Sequence, residues 1–134
     1  MKIVDLDHVV IRCRDVEAMI RFYCDVVGCS LEKRVDNLGL VHLRAGSALI
    51  DLLDADGELG RAGGAAPTAG GHNMDHFCLR IEPFDSEALR HHFAQFGIDL
   101  GKVHDNFGAE GKGPSVYLND PEGNTIELKG PAKA

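Results

Sequence analysis

The sequence of 134 residues has no tryptophan, few aromatic residues and no apolar run long enough to cross a membrane. Basic residues are also scarce, since 14 lysines and arginines stand against 21 acidic residues and the formal net charge is -7. Such a surface repels nucleic acid and anionic membranes, so we expect neither as a partner. The first residues lack the apolar stretch of a signal peptide, which favours a cytoplasmic location.

The cysteines show no spacing typical of a disulfide framework or of a zinc site. No two of them form a CxxC pair, and three lie within apolar stretches. We therefore expect reduced, partly buried thiols without a structural or catalytic role. The residues concerned are Cys13, Cys24, Cys29 and Cys78.

The chain repeats itself. Residues 6–12, LDHVVIR, return as residues 74–80, MDHFCLR. Each copy leads into a helical pattern with an acidic or hydroxyl cap at its start and a glycine at its end. The caps are Asp15 in the first copy and Asp85 or Ser86 in the second, and the closing glycines are Gly28 and Gly97. Two short modules of the same plan are the simplest explanation.

Short β-prone runs complete each module. The predicted strands cover residues 5–12, 31–36, 40–44 and 48–53 in the first module, and 75–82, 98–103, 115–119 and 124–129 in the second. The order strand, helix, three strands predicts an α+β fold of two βαβββ modules. Within a single domain of residues 1–134, we place module 1 at about 1–54 and module 2 at about 74–130. The glycine-rich residues 55–73 are expected to be a linker, or a lid over a pocket.

Four polar residues occupy equivalent places in the two modules. His8 and His76 lie on the first strand of each, while Asp51 and Glu127 lie on the last. If the modules pair about an approximate two-fold axis, two imidazoles and two carboxylates converge. These donors suit Ni, Zn, Fe(II) or Mn(II), and a set of three or four leaves coordination positions for substrate.

Each of these residues also has a simpler interpretation. A lone strand histidine is commonly a surface or hydrogen-bonded residue. Glu127 alternates with Thr125 and Lys129, which is typical of a solvent-facing side of a strand. Asp51 has leucines on either side along the same face, so an unpaired carboxylate there would be costly. The metal-site hypothesis therefore depends on the matched positions of all four.

Four motifs resemble the vicinal oxygen chelate superfamily, which includes glyoxalase I, fosfomycin-resistance thiol transferases, methylmalonyl-CoA epimerase, extradiol dioxygenases and bleomycin-resistance proteins. They are residues 6–9 (LDHV), 21–28 (RFYCDVVG), 74–77 (MDHF) and 120–128 (DPEGNTIEL). The resemblance covers nearly the whole chain and implies a curved mixed sheet around a metal pocket, and a homodimer. It is specific for the superfamily and not for one reaction.

The resemblance assigns His8, His76 and Glu127 as metal ligands. Asp51 stands where glyoxalase I has a glutamate, and its shorter side chain can bind directly, bind through water or serve as a nearby base. The implied function is a glyoxalase I-like lyase or isomerase, in which Glu127 or Asp51 moves a proton on a small substrate that chelates the metal through vicinal oxygens. A fosfomycin-type thiol transferase, an extradiol dioxygenase and a metal-free bleomycin-type binding protein are the alternatives.

The glycine-rich residues 108–117 precede the last strand. They are either a loop that contacts substrate through Lys112, Ser115 and Tyr117, or a glycine-rich segment that leads into the last hairpin and has no functional role. We assign no role to the remaining histidines, which are His42, His72, His91, His92 and His104.

Overall fold

The computed structural model describes residues 1–133, which divide into two compact units. Unit 1 comprises residues 1–73 together with 121–123, and unit 2 comprises residues 74–120 together with the chain from 124 onwards. Each unit has one four-stranded mixed sheet, built in the order strand, helix, three strands. The predicted α+β fold of two similar βαβββ modules is therefore confirmed.

Unit 1 has the sheet order β1-β4-β3-β2, in which β1 and β4 are parallel and the other pairs antiparallel. Its elements are β1 (His8–Cys13), α1 (Val16–Arg21), β2 (Ser30–Val35), β3 (Leu40–Ala45) and β4 (Ala48–Asp54). The Asp15 carboxylate accepts a hydrogen bond from Ala18 N, as predicted for the cap of α1. The helix continues as a π-helical segment, Phe22–Val27, and ends at Gly28, where φ is 103°. A positive φ favours glycine, which explains the end point.

The two faces of the unit 1 sheet differ in character. One carries fully buried apolar side chains, among them Ile11 and Leu52, and α1 packs against β4. Because side chains alternate along a strand, the opposite face receives His8, His42 and Asp51. Burial of the apolar face thus fixes which residues face the other way.

The glycine-rich segment after β4 contains a short helix, α2 (Glu58–Arg61), where the sequence predicted no element. The Arg12 guanidinium donates hydrogen bonds to the carbonyls of Gly60, Gly64 and Ala65 at 3.3, 2.9 and 3.1 Å. One charged donor on β1 therefore orders this segment, which compensates for its low apolar content.

Unit 2 repeats the topology with the order β5-β8-β7-β6. Its elements are β5 (Phe77–Arg80), α3 (Ser86–Ala94), β6 (His104–Gly108), β7 (Gly111–Asn119) and β8 (Thr125–Lys129). The predicted strand at 98–103 is wrong, because the strand is β6, farther along the chain. Ile98 N bonds to Phe93 O and so still belongs to the end of α3. The position of β6 is set by its tight hairpin with β7. The prediction was based on the apolar residues between 98 and 103, which do not determine that pairing.

No helix within residues 1–133 is both long and apolar enough to cross a membrane.

Candidate functional site

The histidine that begins each module is held by the aspartate before it. Asp7 Oδ2 lies 2.7 Å from His8 Nδ1, and Asp75 Oδ2 lies 2.5 Å from His76 Nδ1. These hydrogen bonds are the main reason that the pKa of each imidazole is raised above its usual value. With Nδ1 engaged, Nε2 of each ring is left for a second partner, which is the arrangement that orients histidine ligands in metal sites.

The second partner is the carboxylate on the last strand of the same unit. His76 Nε2 lies 3.2 Å from Glu127 Oε1, and His8 Nε2 lies 4.0 Å from Asp51 Oδ2. Both carboxylates are buried, with residue exposures of 6% for Glu127 and 4% for Asp51. The alternative that Glu127 faces solvent is therefore wrong, and each unit holds one histidine–carboxylate pair.

Polar side chains from β6 and β7 surround Glu127. Asn106 Nδ2 donates to Glu127 Oε2 at 3.2 Å, and the Tyr117 hydroxyl donates to Oε1 at 3.3 Å. Burial by itself raises the pKa of Glu127, but hydrogen bonds from Asn106, Ser115 and Tyr117 outweigh it and leave the pKa lowered. Glu127 is therefore a carboxylate at neutral pH, ready to bind a cation or to accept a proton.

Asp51 has an equivalent neighbour in unit 1. His42 Nδ1 lies 2.7 Å from Asp51 Oδ1, and the two residues face each other across β3 and β4. Tyr117 faces Glu127 across β7 and β8 in the same way, so His42 and Tyr117 are structural counterparts. No role was predicted for His42 from the sequence.

A signal for His42 was present in the sequence. The two-residue turn at residues 46–47 sets Ala45 opposite Ala48, and counting back three places along each strand sets His42 opposite Asp51. Asn106 was missed because its strand was predicted in the wrong place. With β6 moved to residues 104–108, Asn106 lies opposite Gly113 and beside the last-strand carboxylate.

The sheet of unit 2 carries a cavity of about 330 Å³ beside Glu127. Its polar lining comes from β5 and the residue before it, from β8 and from the turn after β6, and consists of His76, Cys78, Arg80, Glu110, Glu127 and Lys129. Burial is the main reason that the pKa of the Cys78 thiol is raised to about 11. That thiol is protonated at neutral pH and is a poor nucleophile.

The predicted substrate residues lie on β7. Ser115 and Tyr117 share the strand face that points to Glu127, whereas Lys112 is exposed and alternates to the other face. Residues 108–117 form most of the β6–β7 hairpin, with its turn at residues 109–110. Unit 1 has its own cavity of about 560 Å³, lined by His8, His42 and Asp51 among apolar residues.

Residues 1–133 contain no group of three or more histidine, cysteine, aspartate or glutamate side chains placed to hold a metal ion. Each unit supplies two donors, one imidazole and one carboxylate. Their chemistry fits a divalent cation, because Nε2 is oriented by the aspartate hydrogen bond and Glu127 is ionised. Convergence of all four donors on one ion remains a prediction.

Comparison with known proteins agrees with this architecture. The sequence model of the Glyoxalase/Bleomycin resistance protein/Dioxygenase superfamily matches residues 5–128. No curated protein gives a significant match.

Several solved structures have the same fold. The virulence protein STM3117 from Salmonella typhimurium is 27% identical with a TM-score of 0.77, and the match covers 98% of this chain and 100% of that one. Lactoylglutathione lyase from Agrobacterium tumefaciens is 22% identical with a TM-score of 0.67, covering 94% and 92%. TnmS3, an antibiotic binding protein from Streptomyces sp. CB03234, is 18% identical with a TM-score of 0.70, covering 98% and 99%. By its sequence over residues 5–128, the chain belongs to the Glyoxalase/Bleomycin resistance protein/Dioxygenase superfamily.

Proposed function

We propose that this protein is a metal-dependent lyase or isomerase of the glyoxalase I type. Its substrate is a small molecule that chelates a divalent metal (Ni, Zn, Fe or Mn) through two neighbouring oxygens. The proposed ligands are His8, His76 and Glu127, with Asp51 as the fourth, so that one histidine–carboxylate pair comes from each unit. A homodimer is part of the same proposal.

One observation supports the proposal most directly. In both units the imidazole at the start of the first strand, His8 or His76, is hydrogen-bonded through Nδ1 to the preceding aspartate. Its Nε2 faces a buried carboxylate. A surface histidine without a ligand role has no need of this repeated arrangement, while a metal ligand needs its ring held in one orientation.

The residues of unit 2 are suited to proton transfer. A bound divalent metal would supply Lewis-acid polarisation of the two substrate oxygens. Glu127, ionised at neutral pH, accepts a proton from the substrate carbon next to a carbonyl and returns it to the neighbouring carbon. The Tyr117 hydroxyl and the Asn106 amide hold the two oxygens of Glu127 in place during that transfer. Asp51 is the second candidate for the same role.

Metal binding tests the proposal first. We expect purified, chelator-treated protein to bind Ni²⁺ or Zn²⁺ stoichiometrically by titration calorimetry, and His76→Ala to weaken binding roughly 100-fold or more, because it removes a ligand. His91→Ala is the matched control, since His91 lies exposed on α3. Absence of stoichiometric metal, or equal affinity in both variants, would overturn the proposal.

Activity then separates the enzyme classes. Each metal-loaded form is assayed with the hemithioacetal of methylglyoxal and glutathione, with and without oxygen. We expect isomerisation that is independent of oxygen and lost in Glu127→Gln. Turnover of a catechol only with oxygen would point to a dioxygenase, transfer of a thiol to fosfomycin to a thiol transferase, and tight binding of bleomycin without metal to a binding protein.

A further inference from the structure

The imidazole ring of His42 uses only one of its two nitrogens. Nδ1 lies 2.7 Å from Asp51 Oδ1, and this is the single hydrogen bond that the side chain makes within residues 1–133. A carboxylate accepts hydrogen bonds, so Nδ1 donates, and Nε2 of the neutral ring keeps a free lone pair. His42 Nε2 is therefore available to accept a hydrogen bond from another molecule.

This second nitrogen is not enclosed by the protein. Among the described residues, every buried side-chain nitrogen or oxygen atom has a hydrogen-bond partner, so a ring nitrogen without a partner must reach open space. The side chain of His42 is 22% exposed, and it lines the cavity of about 560 Å³ in unit 1. His42 Nε2 therefore lies at the wall of that cavity.

Most of the other side chains that line the unit 1 cavity are apolar. Four of them share a sheet face with His42, because they lie at alternate positions on β1, β3 and β4, and a fifth comes from α2. They are Val10, Leu40, Leu49, Leu53 and Leu59. A free acceptor nitrogen in apolar surroundings favours a ligand that combines a hydrogen-bond donor with an apolar group.

The counterpart of His42 in unit 2 has no such free atom. The Tyr117 hydroxyl donates to Glu127 Oε1 at 3.3 Å and accepts from Asn106 Nδ2 at 3.0 Å, so its one polar atom is engaged. A single polar atom is thus enough to hold the last-strand carboxylate. Because the imidazole of His42 carries a second one, unit 1 has a hydrogen-bonding atom that orienting Asp51 does not require.

We propose that His42 binds the substrate directly: Nε2 accepts a hydrogen bond from a substrate hydroxyl, and the apolar part of the substrate packs against the leucines of the unit 1 cavity. This inference rests on the proposed function and narrows its substrate to small hydroxylated molecules with an apolar substituent. Asp51 holds the ring of His42 through Oδ1, while its Oδ2 faces His8. Asp51 can therefore position His42 and still serve as the fourth metal ligand.

NMR titration of the metal-free full-length chain tests this inference. The probes are benzyl alcohol, which carries a hydroxyl donor on an apolar group, and benzyl methyl ether, which lacks the donor. We expect benzyl alcohol to bind saturably and to shift the nitrogen resonance of His42 Nε2. The ether should bind roughly tenfold more weakly and leave that resonance unchanged, because it cannot donate to the ring.

Two amide variants separate the two nitrogens of His42. The amide nitrogen of His42→Asn lies near the place of Nδ1, so it can keep the hydrogen bond to Asp51, but nothing replaces Nε2. This variant should weaken the binding of benzyl alcohol roughly tenfold. His42→Gln reaches the place of Nε2 and should bind the alcohol more tightly than His42→Asn does. His91→Asn, on the exposed side of α3, is the matched control and should leave binding unchanged.

Absence of saturable benzyl alcohol binding by the wild type would overturn the inference, as would equal affinity in the wild type and His42→Asn. If His42→Asn fails to fold by circular dichroism, the wild-type Nε2 resonance decides the question, since a purely structural histidine would not distinguish the alcohol from the ether. Because the titration contains no metal, its failure is distinguishable from failure of the proposed function, which is tested by metal uptake.

Discussion

The stability of the fold around a buried carboxylate can depend on a single hydrogen-bond partner. Asp51 is 4% exposed, and it lies 2.7 Å from His42 and 4.0 Å from His8 in unit 1. A buried carboxylate that loses its hydrogen-bond partner retains the full cost of its desolvation. His42 is therefore expected to stabilise the fold as well as to orient Asp51.

His42→Phe should lower the free energy of unfolding by about 1–3 kcal/mol, because it leaves Asp51 Oδ1 without its closest partner. Urea titration measures the change. Asp51→Asn in the same background should recover part of the loss, since the amide carries no charge to desolvate. Wild-type stability of His42→Phe would mean that the 2.7 Å contact does not contribute to folding.

The burial of the Cys29 thiol can be tested by measuring how its reactivity depends on pH. Burial is the main cause that raises the pKa of its thiol to about 11. Only the thiolate reacts with iodoacetamide, so at pH 8 the native chain should react roughly 100-fold more slowly at Cys29 than an unperturbed cysteine. The rate should rise about tenfold per pH unit up to pH 10.

Peptide mapping by mass spectrometry resolves Cys29 from the other cysteines, and the urea-unfolded chain at each pH is the control. Equal rates at pH 8 in the native and unfolded chains would contradict the prediction.

At the scale of the element, the repeated helix start is the clearest local signal. Asp15 accepts from Ala18 N at 3.0 Å, and Asp85 accepts from Glu87 N and Ala88 N at 3.1 Å. Each carboxylate satisfies backbone donors that the first turn of a helix leaves free. An aspartate side chain therefore caps the N-terminus of both helices.

Asp85→Ala should lower the free energy of unfolding by about 1 kcal/mol, the usual cost of losing a cap. Asp85→Ser, which keeps a capping oxygen, should recover most of it in thermal or urea unfolding. Asp99→Ala, outside the helix, is the control for loss of one negative charge. Equal effects of Asp85→Ala and Asp99→Ala would show that charge, and not capping, is responsible.

At the scale of the whole molecule, one contact joins distant parts of the sequence. The Glu122 carboxylate accepts hydrogen bonds from Arg14 N and Asp15 N at 2.8 Å each, 108 and 107 residues away. Both donors lie just before α1, and residues 121–123 belong to unit 1 although they follow most of unit 2 in the chain. The DPEGN turn is thus part of the packing of the first unit.

Glu122→Ala should therefore destabilise unit 1 by about 0.5–1.5 kcal/mol, the usual net contribution of a hydrogen bond, because Arg14 and Asp15 are exposed and water can replace the lost acceptor. Hydrogen exchange should show the loss of protection at Arg14 and Asp15. Glu58→Ala, an exposed acid of α2, is the matched control. Unchanged exchange at both amides would contradict the prediction.

The sequence alone is sufficient to predict the repeated βαβββ plan, the residues that begin the two helices and the glycines that end them. It also identified the histidines and carboxylates at matched strand positions. These features are local, since strand alternation, capping chemistry and positive φ at Gly28 depend on few residues. The two-residue turn between β3 and β4 is also sufficient to predict that His42 lies opposite Asp51.

The folded structure was needed for the features that depend on strand register and on which face of a sheet is covered. It placed β6 at His104–Gly108. Pairing with β7 in the hairpin determines the position of this strand, and the few apolar residues at 98–103 do not. It also buried Glu127 and Lys129, although alternation alone was compatible with a solvent-facing strand. A pattern of period two tells which residues share a face, but burial of that face depends on what the rest of the fold brings against it.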